Sequence, residues 1–477
     1  MCAWLSMTGP LVWAQGVPTT TVEERAITGA KEYIKQYTLK NPSLTMLMMP
    51  FFRQAMPTFT KQWEELTGVK VKLVEQSAMD IPARIMAEAA AKTGEYDLLN
   101  AFPGVVPDAV SAGAILPMDE YAAKGQPDFS PLEAPLQAQQ TYNGKLYFLL
   151  LDGEHLMLVL RRDVLDLPGA REEFRAKYGW EPGCPETLGQ WEQLAEFFHT
   201  KRGQTRWGKT FDQDLYGALG SRSLHTAHRH FSAYFGGVWF DKEMKPRIQT
   251  PHGIQAIKHF ISIARYMPPD VPTWGTPQIV PFWASGQAFS VMAAPSIVSY
   301  SQNNAESKIK GQQLSCLMPG TVIDGKLMRR SPQATGAGYM VSRSSKHPEL
   351  AYYFLQWLTG PTKGEDVIAH PQGTWEPVRR SSASHEAILG KFGAQFVEVT
   401  VENTKYATAL LMLPGNTEYF SVLDTQLALV MQGQASAEDA AKNIEEGWNK
   451  ITDNVGRQEQ IRLWRSSVES GAYLDKW

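Results

Sequence analysis

"FTKQWEELTGVKVKLVEQSAMDIPARIMAEAAAKTGEYDLLNAF" (residues 59–102) decides the architecture. Phe59, Trp63 and Leu66 fall at i, i+4 and i+7, which predicts a short helix with one apolar face. Gly68 supplies the left-handed residue that stops it. Residues 69–73 alternate with the period of a strand. Asp80 is expected to cap a second helix, with Pro82 tolerated in its first turn, Ile85, Met86, Ala89 and Ala90 inward, and Gly94 at its end. Residues 96–99 read as another strand and residues 106–112 as a third helix. Alternating elements with short connections imply parallel strands and helical crossovers. Ligands of such sheets sit outside the carboxyl ends of the strands, here residues 75–79 and 100–103.

At 477 residues the chain exceeds one ordinary core, so two lobes are expected. Lys plus Arg (46) nearly balance Asp plus Glu (49) without blocks, which argues against nucleic acid or an anionic membrane as partner. No apolar run is long enough to span a bilayer, so direct membrane insertion is not expected. Residues 1–14 are apolar and end in Val12-Trp13-Ala14, an A-x-A-like cleavage signal, although the charged start of a secretory signal is missing. The expectation is a clipped export signal, a mature start near Gln15 and a periplasmic protein. Cys184 and Cys316 do not make a disulfide framework; either one bridge or two free thiols is open, and the sequence favours buried free thiols. No cofactor is expected.

Residues 15–42 read as a polar N-terminal extension packed on the surface. Residues 44–49 form the first core strand, leaving through Pro50-Phe51-Phe52. Asn143-Gly144 between apolar residues predicts a tight hairpin. An apolar run broken by Asp152-Gly153-Glu154-His155 marks a crossing between lobes. The expected division places 43–152 plus about 293–342 in one lobe, 153–292 plus about 343–460 in the other, and 461–477 in a C-terminal tail.

Two motifs point elsewhere. Gly203-Gln204-Thr205-Arg206-Trp207-Gly208-Lys209-Thr210 matches the G-x-x-x-x-G-K-T phosphate loop, which must leave a buried strand and open a helix. Here helical spacing precedes it, a poor helix follows, and Trp207 would crowd the phosphates. His225, His228 and His230 cannot all share one helix face, so a solvated basic face is the better reading and no metal ligands are assigned. No nucleophile elbow or zinc-protease motif occurs, so no catalytic residues are assigned and no enzyme is expected.

Laid out in order, "TGVKV", "YDLLNAFPG", "AGAILPMDEY", "YNGKLYFLLL", "LRRDVL", "PETLGQWEQLA", "FGGVWFD", "FWASGQAFSVM" and "SRSSKHPELAYYFLQWLTGP" resemble the bacterial extracellular solute-binding proteins of ABC importers, of the maltose-binding type. The resemblance implies an α/β, two-lobed periplasmic-binding-protein-like fold (type II), with a ligand cleft between lobes joined by a hinge. It also implies a monomer that passes a small solute to membrane permease subunits. A sugar or polyol is the first choice of ligand, and a phosphorylated polyol held by Arg53, Arg379 or Arg380 the second. Sugars offer hydroxyls to carboxylates and amides, and flat C–H faces to aromatic rings. The candidates at expected cleft positions are Phe51, Gln76, Asp80, Asn100, Phe102, Asp152, Glu154, Trp239, Trp283, Trp375 and Tyr419. Glu154 falls where the family has an acidic hinge-edge residue contacting sugar hydroxyls.

Overall fold

The computed structural model describes residues 20–78, 80–220, 238–271, 274–332 and 336–476. Two sheets organise them. The main strands are β1 (Ser43–Met48), β2 (Lys70–Glu75), β3 (Leu98–Ala101), β4 (Leu149–Leu150), β5 (Met157–Arg161), β6 (Ser290–Ala293), β7 (Gln313–Cys316) and β8 (Gly338–Val341). The first sheet runs β2-β1-β3-β8-β4. β1 pairs in parallel with both β2 and β3, as the crossover pattern requires, while β8 runs antiparallel to β3 and β4. The second sheet places β5 between β6 and β7, antiparallel to both. All five residues of β5 are buried, so this strand is apolar throughout rather than alternating.

Local reading and structure differ in instructive places. The helix Met56–Thr67 ends at Gly68 with φ 79°, but it buries Met56, Phe59, Thr60, Trp63 and Thr67, and leaves Leu66 42% exposed. Asp80 makes no side-chain cap; its carboxylate instead accepts from the Gln76 side chain at 3.3 Å. The helix it precedes, Ile81–Ala91, stops at Lys92 (φ 52°), two residues before Gly94. Asn143 and Gly144 both have positive φ and close the expected hairpin between Thr141–Tyr142 and Lys145–Leu146.

The lobe boundaries lie elsewhere than expected. β6 and β7 belong to the second sheet, so of residues 293–342 only the end of the segment, β8, enters the first. The helix Pro348–Leu358 packs against the helix Val22–Gln36 and therefore sits with the first sheet, not the second. Residues 22–36 are thus part of that lobe's packing: Ala26 and Ala30 are buried, and a Cβ on Gly29 would lie 2.4 Å from the Tyr353 ring. The C-terminal segment is no tail either. The helix Arg457–Glu469 buries Trp464 against Phe240 and Tyr473. Cys184 and Cys316 form a disulfide, correcting the expectation of free thiols. It ties the loop before the helix Leu188–Phe198 to the end of β7.

Candidate functional site

Among the described residues the chain passes between the two sheets three times, and the passages meet. Residues 151–156 connect β4 to β5, residues 317–337 return from β7 to β8, and residues 370–393 lead from the helix Pro361–Ala369 to the helix Ala394–Thr404, which packs on β7. Asp152 binds all three. One carboxylate oxygen accepts the Glu376 N–H at 2.9 Å and the other accepts the Ala337 N–H at 3.4 Å. Gly153 N–H donates to Glu376 O at 3.3 Å. A side chain on Gly153 would put its Cβ 2.2 Å from Pro377 O, so only glycine allows this approach. Ser331 Oγ donates to Leu156 O at 2.7 Å, fastening the first two passages again.

Around this knot the groups are acidic and aromatic. Glu154 is half-buried, and one of its oxygens accepts from Ser296 Oγ at 3.0 Å. Glu376 is fully buried beside Asp152, and the two carboxyl groups hydrogen-bond each other. Burial pushes the Asp152 carboxyl up to about 6, against the hydrogen bonds that hold it ionised. Burial and then the Asp152 and Glu154 charges push Glu376 well above the usual carboxylate range. Burial also drives His155 down to about 4, so its imidazole is neutral, with Nδ1 3.0 Å from Gly153 O. Tyr300 is held up by burial and then by the charges of Glu376, Glu154 and Asp152. Lys391 is pushed down to about 8 by burial, opposed by Glu376 and Asp152, and its ammonium donates to Ile368 O and Gly373 O.

The third passage also reaches the exit of β1. Thr374 Oγ1 donates to Phe51 O at 3.1 Å, and the Trp375 ring stacks on Phe52 at 4.6 Å. Phe51 itself is 46% exposed and Phe102 is partly exposed. These two rings, Gln76 and Asp80 at the exit of β2, and Glu154 keep surface that a solute could touch.

Other candidates are packed away. Asn100 accepts from Met49 N–H and donates to Gly338 O, stitching three strands of the first sheet. Trp239 lies in the core against Trp448, and Tyr419 donates to or accepts from Thr452 there. Trp283 is buried with its N–H on Gln313, and Trp375 is buried between Phe52 and Phe59. Both Asp152 carboxylate oxygens are taken up by backbone N–H groups, those of Glu376 and Ala337. Large rings fill a core as readily as they line a cleft, so burial decides these cases. Glu376, Ser296 and Tyr300 were missed. Ser296 carried a signal, because it stands at the exit of β6; Glu376 carried little, because nothing local places residues 374–378 beside residue 152.

The phosphate-loop motif forms a hairpin, Thr205–Arg206 against Lys209–Thr210, turning at Trp207 and Gly208. Trp207 is buried under the Arg206 guanidinium at 4.0 Å and bonded to Glu173. No helix N-terminus follows within residues 211–220 to receive phosphate. His225, His228 and His230 lie outside the described residues. The arginines expected to hold a phosphorylated polyol are engaged elsewhere. Arg53 lies against Glu75, Arg379 donates to Thr359 O, and Arg380 pairs with Glu133.

Residues 55–390 match the sequence profile of a family described as bacterial extracellular solute-binding protein. A curated relative, a probable amino-acid ABC transporter periplasmic-binding protein from Sinorhizobium fredii, is 20% identical over 316 residues, covering 65% of this chain and 66% of that protein. Among solved structures, a solute-binding protein from Agrobacterium vitis S4 with bound D-mannitol is similar at TM-score 0.67 and 19% identity, covering 87% of this chain and 99% of that one. Another, from Agrobacterium radiobacter K84 in complex with ribitol, gives TM-score 0.69 and 16% identity over 87% and 99%. At such identity these likenesses show the two-lobed α/β fold. No helix among the described residues is long and apolar enough to cross a membrane.

Proposed function

Because the chain belongs to the bacterial extracellular solute-binding protein family, we propose that it captures a sugar or polyol between its two lobes and delivers it to the permease of an ABC importer. In this reading it acts as a monomer, outside the cytoplasm, and performs no chemistry on its ligand. The observation that carries the reading is Glu154: half-buried at the first passage between lobes, with Ser296, just beyond β6, donating to its carboxylate. A carboxylate there can accept hydrogen bonds from two adjacent hydroxyls, and Phe51 offers an exposed ring to a C–H face. The polyols bound by the two Agrobacterium proteins support the ligand class.

A thermal-shift screen of sugars, polyols, amino acids and phosphate esters tests it, followed by calorimetry on the best ligand. One hydrogen bond to a charged group contributes about 1.5–3 kcal/mol, so Glu154→Ala should weaken binding roughly 10- to 150-fold, and Glu154→Gln less. Scattering should show compaction on saturation. A ligand bound equally by wild type and Glu154→Ala would remove Glu154 from the site, and selective binding of amino acids alone would overturn the ligand class.

A further inference from the structure

We propose that Glu376 stands as a neutral acid donating a hydrogen bond to the Asp152 carboxylate, and that its proton clasps the third passage between the lobes to the first. Acid and neutral solution keep this hinge fastened, and alkaline solution releases it.

The two carboxyl groups hydrogen-bond each other, and both residues are buried. Ionised carboxylates only accept, so a hydrogen bond between two of them requires one proton. The backbone shows which group carries it. Asp152 accepts the Glu376 N–H with one oxygen and the Ala337 N–H with the other, and such donors favour its charged form. Among the described residues no N–H group donates to the Glu376 carboxyl, so Glu376 is the acid of the pair.

Most groups facing the pair favour this proton. Glu154, on the first passage, is a third carboxylate; one oxygen from each of the three lies within 4.8 Å of the others, and its charge favours the neutral Glu376. His155, next along the chain, is neutral. Tyr300 on the helix Ser296–Asn303 and Tyr339 on β8 face the cluster as phenols that burial keeps protonated. Lys391, on the helix Glu386–Phe392, opposes, but its ammonium donates to Ile368 O and Gly373 O rather than to a carboxylate. Loss of the proton to solvent leaves three close carboxylates, two of them buried, and like charges so placed repel strongly. That repulsion acts across the bonds that join the passages, Gly153 N–H to Glu376 O and Glu376 N–H to Asp152. Deprotonation therefore parts the passages, and Glu154 moves with the first.

The clasp is independent of which solute the cleft takes, and no solute enters its test, so its failure leaves the proposed function standing. Infrared spectra of the full chain in D2O should show a neutral carboxyl C=O band at pH 7 that fades as the pH is raised, is missing from Glu376→Gln and remains in Glu154→Gln. One proton held by the fold and released by the unfolded chain raises the unfolding constant tenfold per pH unit. Groups common to both proteins cancel, so in urea the ratio of wild-type to Glu376→Gln unfolding constants should rise about tenfold per pH unit from pH 5.5 until the folded acid titrates. Hydrogen exchange of residues 151–156 and 374–378, corrected for the intrinsic effect of pH, reads the clasp itself. Protection should fall in the wild type as the band fades and hold in Glu376→Gln, whose amide donates to Asp152 at every pH. A band that persists in Glu376→Gln, or a ratio of unfolding constants that stays flat from pH 5.5 to 8, would overturn the proposal. Circular dichroism checks that the variant folds; if it does not, the wild type still decides. No neutral carboxyl band at pH 7, or passages equally protected before and after it fades, would overturn the clasp.

Discussion

Gly153→Ala tests whether the three passages depend on one close approach. The new Cβ would meet Pro377 O at 2.2 Å, Pro377 C at 2.8 Å and Val378 Cβ at 2.9 Å. Real Cβ atoms essentially never come within 3.0 Å of such neighbours, so the first and third passages must part by about 1 Å. That movement breaks Gly153 N–H to Glu376 O, already 3.3 Å, and Glu376 N–H to the Asp152 carboxylate, now 2.9 Å. A neutral hydrogen bond contributes about 0.5–1.5 kcal/mol and one to a charged group about 1.5–3 kcal/mol, so the variant should lose about 2–4.5 kcal/mol. Urea unfolding followed by tryptophan fluorescence measures it. Gly390→Ala is the control, because nothing lies within 4 Å of a Cβ there. Stability of Gly153→Ala within about 0.5 kcal/mol of wild type would refute the reasoning.

Two further outcomes follow from the packing. The Cys184–Cys316 bridge closes a loop of 132 residues, for which chain entropy gives about 5 kcal/mol, so the double serine variant should unfold at markedly lower urea; an unchanged midpoint would show that the bridge does not form. Burial holds His259 below its ordinary pKa, with Glu192 opposing, so the neutral ring is the folded form and stability should fall as pH drops below about 6.5. Because the ring bonds Leu188 O, His259→Gln retains a donor and should flatten that slope; superimposable melting-temperature profiles between pH 7.5 and 5 would discount it.

The local part of the fold was legible in sequence. Strand alternation at residues 69–73, the stop at Gly68 and the Asn143-Gly144 turn are all set by neighbours a few residues away. What failed depended on partners far along the chain. Residues 350–358 are buried without interruption, the mark of a helix enclosed on every side, yet the sequence does not say that Val22–Gln36 is one of the covers. Cys184 meets Cys316 only because β7 docks beside the loop before Leu188. Trp239, Trp283, Trp375 and Tyr419 suit a cleft in sequence because ring size and polarity fit either place. Asp152 looked like a ligand group for the same reason: a carboxylate serves two backbone N–H groups as readily as two hydroxyls.

The strand order of the first sheet also dictates when that lobe can be completed. β8 lies between β3 and β4, so Leu149–Leu150 has no place in the sheet until residues 338–341 arrive. A chain emerging from its amino end therefore holds β1, β2 and β3 with an unpaired edge at β3 while residues 102–337 follow. Contacts this distant in sequence slow folding, and an open edge invites pairing with other chains. Moving β8 upstream by circular permutation would end that wait and turn a late-closing sheet into an early one.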